Sequence, residues 1–461
     1  MPEPELPPAA EPKPPKYAGL VLAEGITRAN MAACFLASFA VIATLTFVPA
    51  VTPYLLTELL GYSEDDRGSV IGWLNVAAEI VLLSTMAFYG ALADRIGRRP
   101  VMVAGFVVCA AGLLLMPFAG HVGVLVVFRV VFAFGAAALT GMLSTVIADY
   151  AAPAFRGRAS GLNGIMNGLG AVCSVLLLVR LPAALEKAGL GPVAAARLAF
   201  AVVAALILML AAVLARRLSA QRISSVDKRI PLATLAREGV RAGRDPGVAL
   251  AYAAAFVSRA DLAIVGSFLA LWVSDHAEQV RGMSSADAVA RAGLVVAIAQ
   301  TAALLGAPVF GRISDRIGRQ DAVILALGLS GTAYSSALLV DDPLGAGMVP
   351  VAIAIGFGEV AGITSSGPLL AQQAPRDVRG SAYGVFAFCG SAGILIVSLV
   401  GGYLYDHWRP AAPFAVVGAM GIASCAFGIA VRHRIEPRED TAVAAVRPVE
   451  GDPVEGDPVP K

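Results

Sequence analysis

The 461-residue chain is 57% hydrophobic and 15% charged, with a mean hydropathy of +0.75 and a net charge of +2. Ordinary soluble domains are nearer half apolar and a quarter charged, so a soluble fold is excluded. So balanced a charge offers nothing for nucleic acid to bind. The five cysteines, Cys34, Cys109, Cys173, Cys389 and Cys425, all lie in apolar blocks. They read as packing residues, not as disulfides or metal ligands.

In chain order, a Pro-rich polar stretch (PEPELPPAAEPKPPK) opens residues 1–27, predicted to be a disordered tail. No cleavage pattern precedes the first apolar block, which is expected to act as an uncleaved insertion signal. Twelve blocks are long enough to cross a hydrocarbon core of roughly 30 Å as helices. They cover 29–54, 67–91, 100–119, 122–149, 157–181, 193–215, 248–273, 287–311, 321–341, 346–372, 380–404 and 411–431. This divides the chain into a first six-helix bundle (28–216), a linker (217–247), a second bundle (248–434) and a tail (435–461) that repeats VEGDP. In the linker, IPLATLAREGVRAG reads either as a basic amphipathic helix on an anionic membrane surface or as a solvated connection.

Alternating the spans from a cytoplasmic start puts most of the 35 lysines and arginines on the cytoplasmic side. Seven fall outside: Arg67, Arg180, Lys187, Arg197, Arg281, Arg291 and Arg409. The external loops are read as acidic, with Glu64, Asp65, Asp66, Asp275, Glu278, Asp341 and Asp342. The positive-inside rule then sets both termini in the cytoplasm and the protein in a cytoplasmic (inner) membrane.

Residues 90–99 read GALADRIGRR, and residues 311–320 read GRISDRIGRQ. At an offset of 221, Gly90, Asp94, Arg95, Gly97 and Arg98 match Gly311, Asp315, Arg316, Gly318 and Arg319. A second pair, Arg156-Gly157-x-Ala159-x-Gly161 and Arg379-Gly380-x-Ala382-x-Gly384, aligns at 223. Two anchors at nearly one offset mean that a six-helix unit was duplicated, an arrangement found in secondary transporters.

With these residues the chain resembles the major facilitator superfamily over about residues 28–434. The first turn fits that family's G-x-x-x-D-[RK]-x-G-R-[RK] signature throughout, and the second departs only at Gln320. The resemblance implies an all-α membrane protein of two pseudo-symmetric bundles and a midplane site lined by the first, second, fourth, fifth, seventh, eighth, tenth and eleventh spans. Read alone, Gly90 and Gly97 permit a tight turn and close helix approach, while Arg95, Arg98 and Arg99 anchor the loop inside. The resemblance implies more: Asp94 and its arginines would form a charge network with Asp149, tie the inner ends of the halves together and favour the outward-open state. In the second half Gln372 stands at the position of Asp149, so that latch is expected to be weaker.

Charges inside spans are costly unless they face protein or a cavity. Glu79 and its repeat mate Gln300 lie at matched midspan positions and suggest a central site. Arg259 and Asp261, two residues apart, point about 200° from one another on a helix, so each meets a different helix or the helix is broken there. Arg129 begins R-V-V-F-A-F-G, which keeps the arginine and last glycine of a family signature associated with proton transfer but loses its glutamine and first glycine. Arg129 reads as a coupling group, an anion contact or the partner of a carboxylate. Glu359 lies at midspan of the tenth block. Glu79, Asp261 and Glu359 are the proton-carrying candidates. Asn163 and Asn167 reach towards the cavity from GLNGIMNGLG, whose glycines read mainly as packing positions.

The fifth span lacks the glycine–proline signature common in drug exporters of the family, and no GxxxxGK, HExxH or GxSxG is present. These readings exclude an ATP-driven pump or an enzyme and imply no cofactor or metal. The expectation is a monomeric, proton-coupled secondary carrier of a small organic solute, with export favoured. The alternatives are proton-coupled uptake of an organic anion, with Arg129 and Arg259 as contacts, and a non-transporting sensor or scaffold.

Overall fold

The computed structural model describes residues 15–62, 66–152, 155–219, 232–375 and 378–435. The first half holds α1 (Arg28–Glu58), α2 (Arg67–Ile96), α3 (Arg98–Leu115), α4 (Val122–Tyr150), α5 (Arg156–Cys173), α6 (Leu181–Lys187) and α7 (Pro192–Arg217). Then come α8 (Leu232–Ala242), α9 (Pro246–Ala263), α10 (Leu269–Arg281), α11 (Ser285–Arg316) and α12 (Arg319–Ser336). The chain closes with α13 (Met348–Gln373), α14 (Arg379–His407) and α15 (Ala412–Val431). Counting α5–α6 and α9–α10 as one each, twelve helices are long and apolar enough to cross a bilayer.

Helices form here because lipid offers backbone amides no other partner. Many hydroxyls bond back to their own helix, as Ser38 does to Cys34 O and Thr52 to Val48 O. The first helix starts at a capping box in which Thr27 and Asn30 exchange side-chain and backbone bonds. The joints within the fifth and seventh spans are π-helical turns, Ser174–Leu178 and Ile264–Phe268. In the first of them Val179 N bonds Ser174 O, five residues back, at 3.0 Å.

Within the first half α3 packs on α4 and α7, and α1 on α5. Within the second, α13 packs on α11 and α12, and α9 on α14. The halves meet where α2 lies along α14 and α11 lies along α1 and α5. The face holding the start of α1, the end of α7 and the end of α15 is termed the terminal face; the opposite one is the far face.

The seam is tight towards the far face. A Cβ on Gly72 would stand 2.2 Å from Ser398 O, and one on Gly402 would stand 2.5 Å from Gly68 O. Towards the terminal face, a Cβ on Gly161, Gly164, Gly311, Gly380 or Gly384 would meet nothing within 4 Å. Glycine is therefore required where α2 touches α14 and not at the other end. Overpacking of this kind costs about 1–3 kcal/mol, so Gly72→Val is expected to lower the midpoint of thermal unfolding in detergent, while Gly384→Val leaves it unchanged.

Several boundaries differ from the sequence reading. Residues 15–27, assigned there to a disordered tail, form a hairpin of β1 (Lys16–Tyr17) and β2 (Leu20–Val21) around Ala18 and Gly19, both with positive φ. Leu20, Leu22 and Ile26 are buried, and Ala23 N bonds Tyr150 O, so these apolar residues have a surface to cover. The linker contains α8, which packs on α14 rather than standing free: a Cβ on Gly239 would stand 2.4 Å from Ser381 O. Asp275 and Glu278 lie within α10 rather than in a loop, because Arg67 supplies their counter-charge. The tail expectations for 1–14 and 436–461, and the loop residues Glu64 and Asp65, fall outside the described residues.

Candidate functional site

Midway along α2, Glu79 is buried and accepts a hydrogen bond from the Ser391 hydroxyl of α14. This bond crosses from one half to the other. One residue away on α14, Gly390 lies against the stem of Arg259: its added Cβ would stand 2.5 Å from Arg259 Cγ. Ser391 thus meets Glu79 across the seam, while its neighbour Gly390 packs on Arg259 within the second half. Nearer the far face, Asn75 Nδ2 bonds Ser267 Oγ across the same seam at 3.1 Å.

Asp261 turns the other way. It is fully buried inside the second half, where Ser330 of α12 donates to its Oδ2 at 3.2 Å. Tyr334 and Glu359 are buried in the same bundle, and Glu359 lies within electrostatic reach of both Asp261 and Tyr334. Gln300 Nε2 stands 3.5 Å from Glu359 Oε2, a long contact. The repeat mates Glu79 and Gln300 therefore do not meet. One links the halves, and the other stays within its own. Both sequence alternatives for Arg259 and Asp261 occur together: each residue meets a different helix, and a π turn follows three residues beyond Asp261.

Arg129 on α4 is 9% exposed, with its guanidinium 5.7 Å from the Phe132 ring centroid. Among the described residues its Nε and Nη1 have no hydrogen-bond partner, and neither do the buried Oδ1 atoms of Asn163 and Asn167 on α5. Of the α5 glycines, Gly168 and Gly170 pack closely, with added Cβ atoms 2.6 Å from Leu304 Cδ1 and 2.3 Å from Phe39 O. Gly161 and Gly164 do not pack, contrary to the sequence reading.

At the terminal face Arg98, in the first charged turn, pairs with Asp149 of α4. This joins α3 to α4 within one half rather than tying the halves together. In the second copy Arg319 donates to Pro368 O of α13 at 3.1 Å, one turn from Gln372. A carbonyl there replaces the missing carboxylate. Gly97 has φ 96°, a conformation that favours glycine, whereas Gly318 has φ −56°. Gly90 and Gly311 have nothing within 4 Å of an added Cβ, so close approach does not explain them. Arg95 and Arg316 are exposed, and Arg99 is half-buried. The side chains of Asp94 and Asp315 lie outside the described residues.

The far-face closure was not legible in the sequence. Arg67, 4% exposed, reaches Asp275 at 2.7 Å and Glu278 at 3.0 Å. Tyr405 donates to Asp275 Oδ2 at 2.6 Å. Asp406 accepts from Gly68 N and Ser69 N at 2.8 and 2.7 Å and so caps the start of α2 from the other half. Lys187 pairs with Asp287 at 2.6 Å. Outside the spans, Asp342 accepts from Leu344 N and Arg281, which hold its carboxyl below the usual range, the Leu344 amide foremost. The sequence put Arg67, Asp275 and Glu278 on one side of the membrane, but nothing local tied the arginine to the two carboxylates.

The profile of the Major Facilitator Superfamily matches residues 33–340 and 251–454. Magnetosome protein MamH of Paramagnetospirillum magneticum is 29% identical, over 87% of this chain and 92% of that protein. Multidrug resistance protein MdtG of Erwinia billingiae is 24% identical, over 87% and 93%. The solved structure of nucleoside transporter NupG aligns with a TM-score of 0.69 at 13% identity, over 87% of this chain and 99% of that one, a likeness of fold. On the profile match, the twelve spans and the shared fold, the chain belongs to the Major Facilitator Superfamily of membrane transporters.

Proposed function

We propose that this transporter moves a small organic solute by alternating access, coupled to protons, and that it works as an exporter of a cytoplasmic membrane. In this reading the terminal face is the cytoplasmic one, supported by the excess of lysine and arginine there. The observation that carries this reading is the Glu79–Ser391 bond: a buried carboxyl of one half is held at midspan by the other. Opening the far face must break it. The carboxyl then exchanges its partner for water or solute, so its affinity for a proton changes with the state of the carrier. That linkage couples proton movement to the rocking of the halves.

Arg259, one helix away behind Gly390, is the positive charge on the second half's side of this reading. Asn163 and Asn167 offer acceptors towards the cavity, while Asp261 and Glu359 are further proton-carrying carboxyls inside the second half, with Gln300 beside Glu359. The charged turns, Gly90 to Arg99 with Asp149 and Gly311 to Arg319, set the geometry of the cytoplasmic rim and gate it. Export agrees with the name of the MdtG relative, a multidrug resistance protein. A second reading, uptake of an organic anion, is favoured by Arg129, whose Nε and Nη1 have no partner among the described residues.

Proteoliposomes with an imposed pH gradient and a panel of labelled lipophilic cations and organic anions test this. Accumulation driven by the gradient is expected. Flux that ignores the gradient refutes proton coupling, and accumulation of anions with protons replaces export by symport.

A further inference from the structure

Seven lysines and arginines stand at the far-face ends of the spans, and five have partners. Arg67 has Asp275 and Glu278, Lys187 has Asp287, and Arg281 has Asp342. Arg197 lies 4.6 Å from the Phe118 ring centroid, and Arg409 donates to Leu338 O. The remaining two, Arg180 and Arg291, have no partner among the described residues. They line one cavity of about 460 Å³. Its carboxylate, Asp287, is already neutralised by Lys187, so the cavity carries a positive excess.

The cavity sits on the seam: Arg180 comes from the first half, Arg291 from the second. It does not stop at the charges. Leu294 lines it and also lines a groove of about 610 Å³ that follows α11 down to Val309, with Leu176 and Phe357 as walls. From Leu294 to Val309 the groove runs about 22 Å at 1.5 Å per residue, more than one leaflet of a roughly 30 Å core. Apart from Thr301, its lining side chains are apolar, and Leu305 is 66% exposed on it. A cationic head joined to an apolar channel has the shape and polarity of an anionic amphiphile.

We propose that this seam is a binding site for an anionic phospholipid, with the phosphate between Arg180 and Arg291 and an acyl chain along α11. Two guanidinium forks match a phosphate better than any side chain in reach. A zwitterionic lipid brings its own cation and gains less. Because the two arginines belong to different halves, the lipid bridges the halves only while the far face is closed.

The test is native mass spectrometry of the full chain with phosphatidylglycerol or phosphatidylcholine of the same acyl chains. Wild type is expected to retain phosphatidylglycerol preferentially. In R180Q/R291Q that preference should fall about tenfold or more, as expected for losing charge-assisted hydrogen bonds; an unchanged preference overturns the proposal. R180K/R291K, which keeps charge without the fork, should fall between, and this holds the test open if the glutamine variant does not fold. Inorganic phosphate at millimolar concentration should displace little phosphatidylglycerol. Complete displacement shows a site for free phosphate and overturns the lipid assignment.

Discussion

Arg67→Ala is expected to open the far face. The substitution leaves Asp275 and Glu278 in a buried setting without their cation, and breaking a buried pair by removing one partner costs about 3–5 kcal/mol. That penalty falls only on the closed form, since water reaches the carboxylates once the halves part. A shift of this size moves the balance between closed and open states by a factor of about 100 or more. The reporter is Asn75→Cys, on α2 beneath the closure, challenged with a membrane-impermeant maleimide from the far side. Labelling should be slow with Arg67 intact and rise sharply in Arg67→Ala, while Arg67→Lys, which keeps the charge, stays close to the parent. Equal labelling rates in all three would show that the closure rests on the packing of Gly68, Gly72 and Gly402, and that the charges only decorate it.

Glu79→Gln is expected to separate two kinds of movement. Glutamine keeps the size of the side chain and can still accept from Ser391, so the seam should close as before. It cannot take up or release a proton. Gradient-driven accumulation should therefore fall about tenfold or more, while exchange of labelled for unlabelled solute continues at a comparable rate. Ser391→Ala removes the bond but leaves the carboxyl, and should retain part of the gradient response. Full accumulation in Glu79→Gln would transfer the proton role to Asp261 or Glu359, whose surroundings lie wholly within the second half.

What the sequence made legible followed from local pattern. Run length revealed the spans, and two short charged motifs at one offset revealed the duplication. Helix ends were less legible, because a charge ends an apolar run whether or not the helix stops there. Asp275 and Glu278 looked like loop residues until Arg67, more than 200 positions earlier, was seen to meet them. Ser391 carried no signal among so many serines; only the fold shows that it faces Glu79. Symmetry matched Gln300 with Glu79 in position, but a repeat does not equate the neighbours that each half presents to the other. The hairpin at residues 15–27 was masked by the prolines before it, although Leu20, Leu22 and Ile26 are apolar enough to need cover.

The π turn in the seventh span has a consequence for azimuth. Asp261 and Asp275 are fourteen residues apart, and in an unbroken α-helix that spacing would leave them within about 40° of one another. Both would then face the same neighbour. The turn at Ile264–Phe268 takes up one residue without advancing the helix, so the two carboxylates diverge by roughly 140° instead. One helix thereby feeds a buried carboxyl to Ser330 inside its own half and another to Arg67 across the seam. Deleting a single apolar residue from that turn would realign them. The far-face closure would lose its anion with every charged residue of the chain still present.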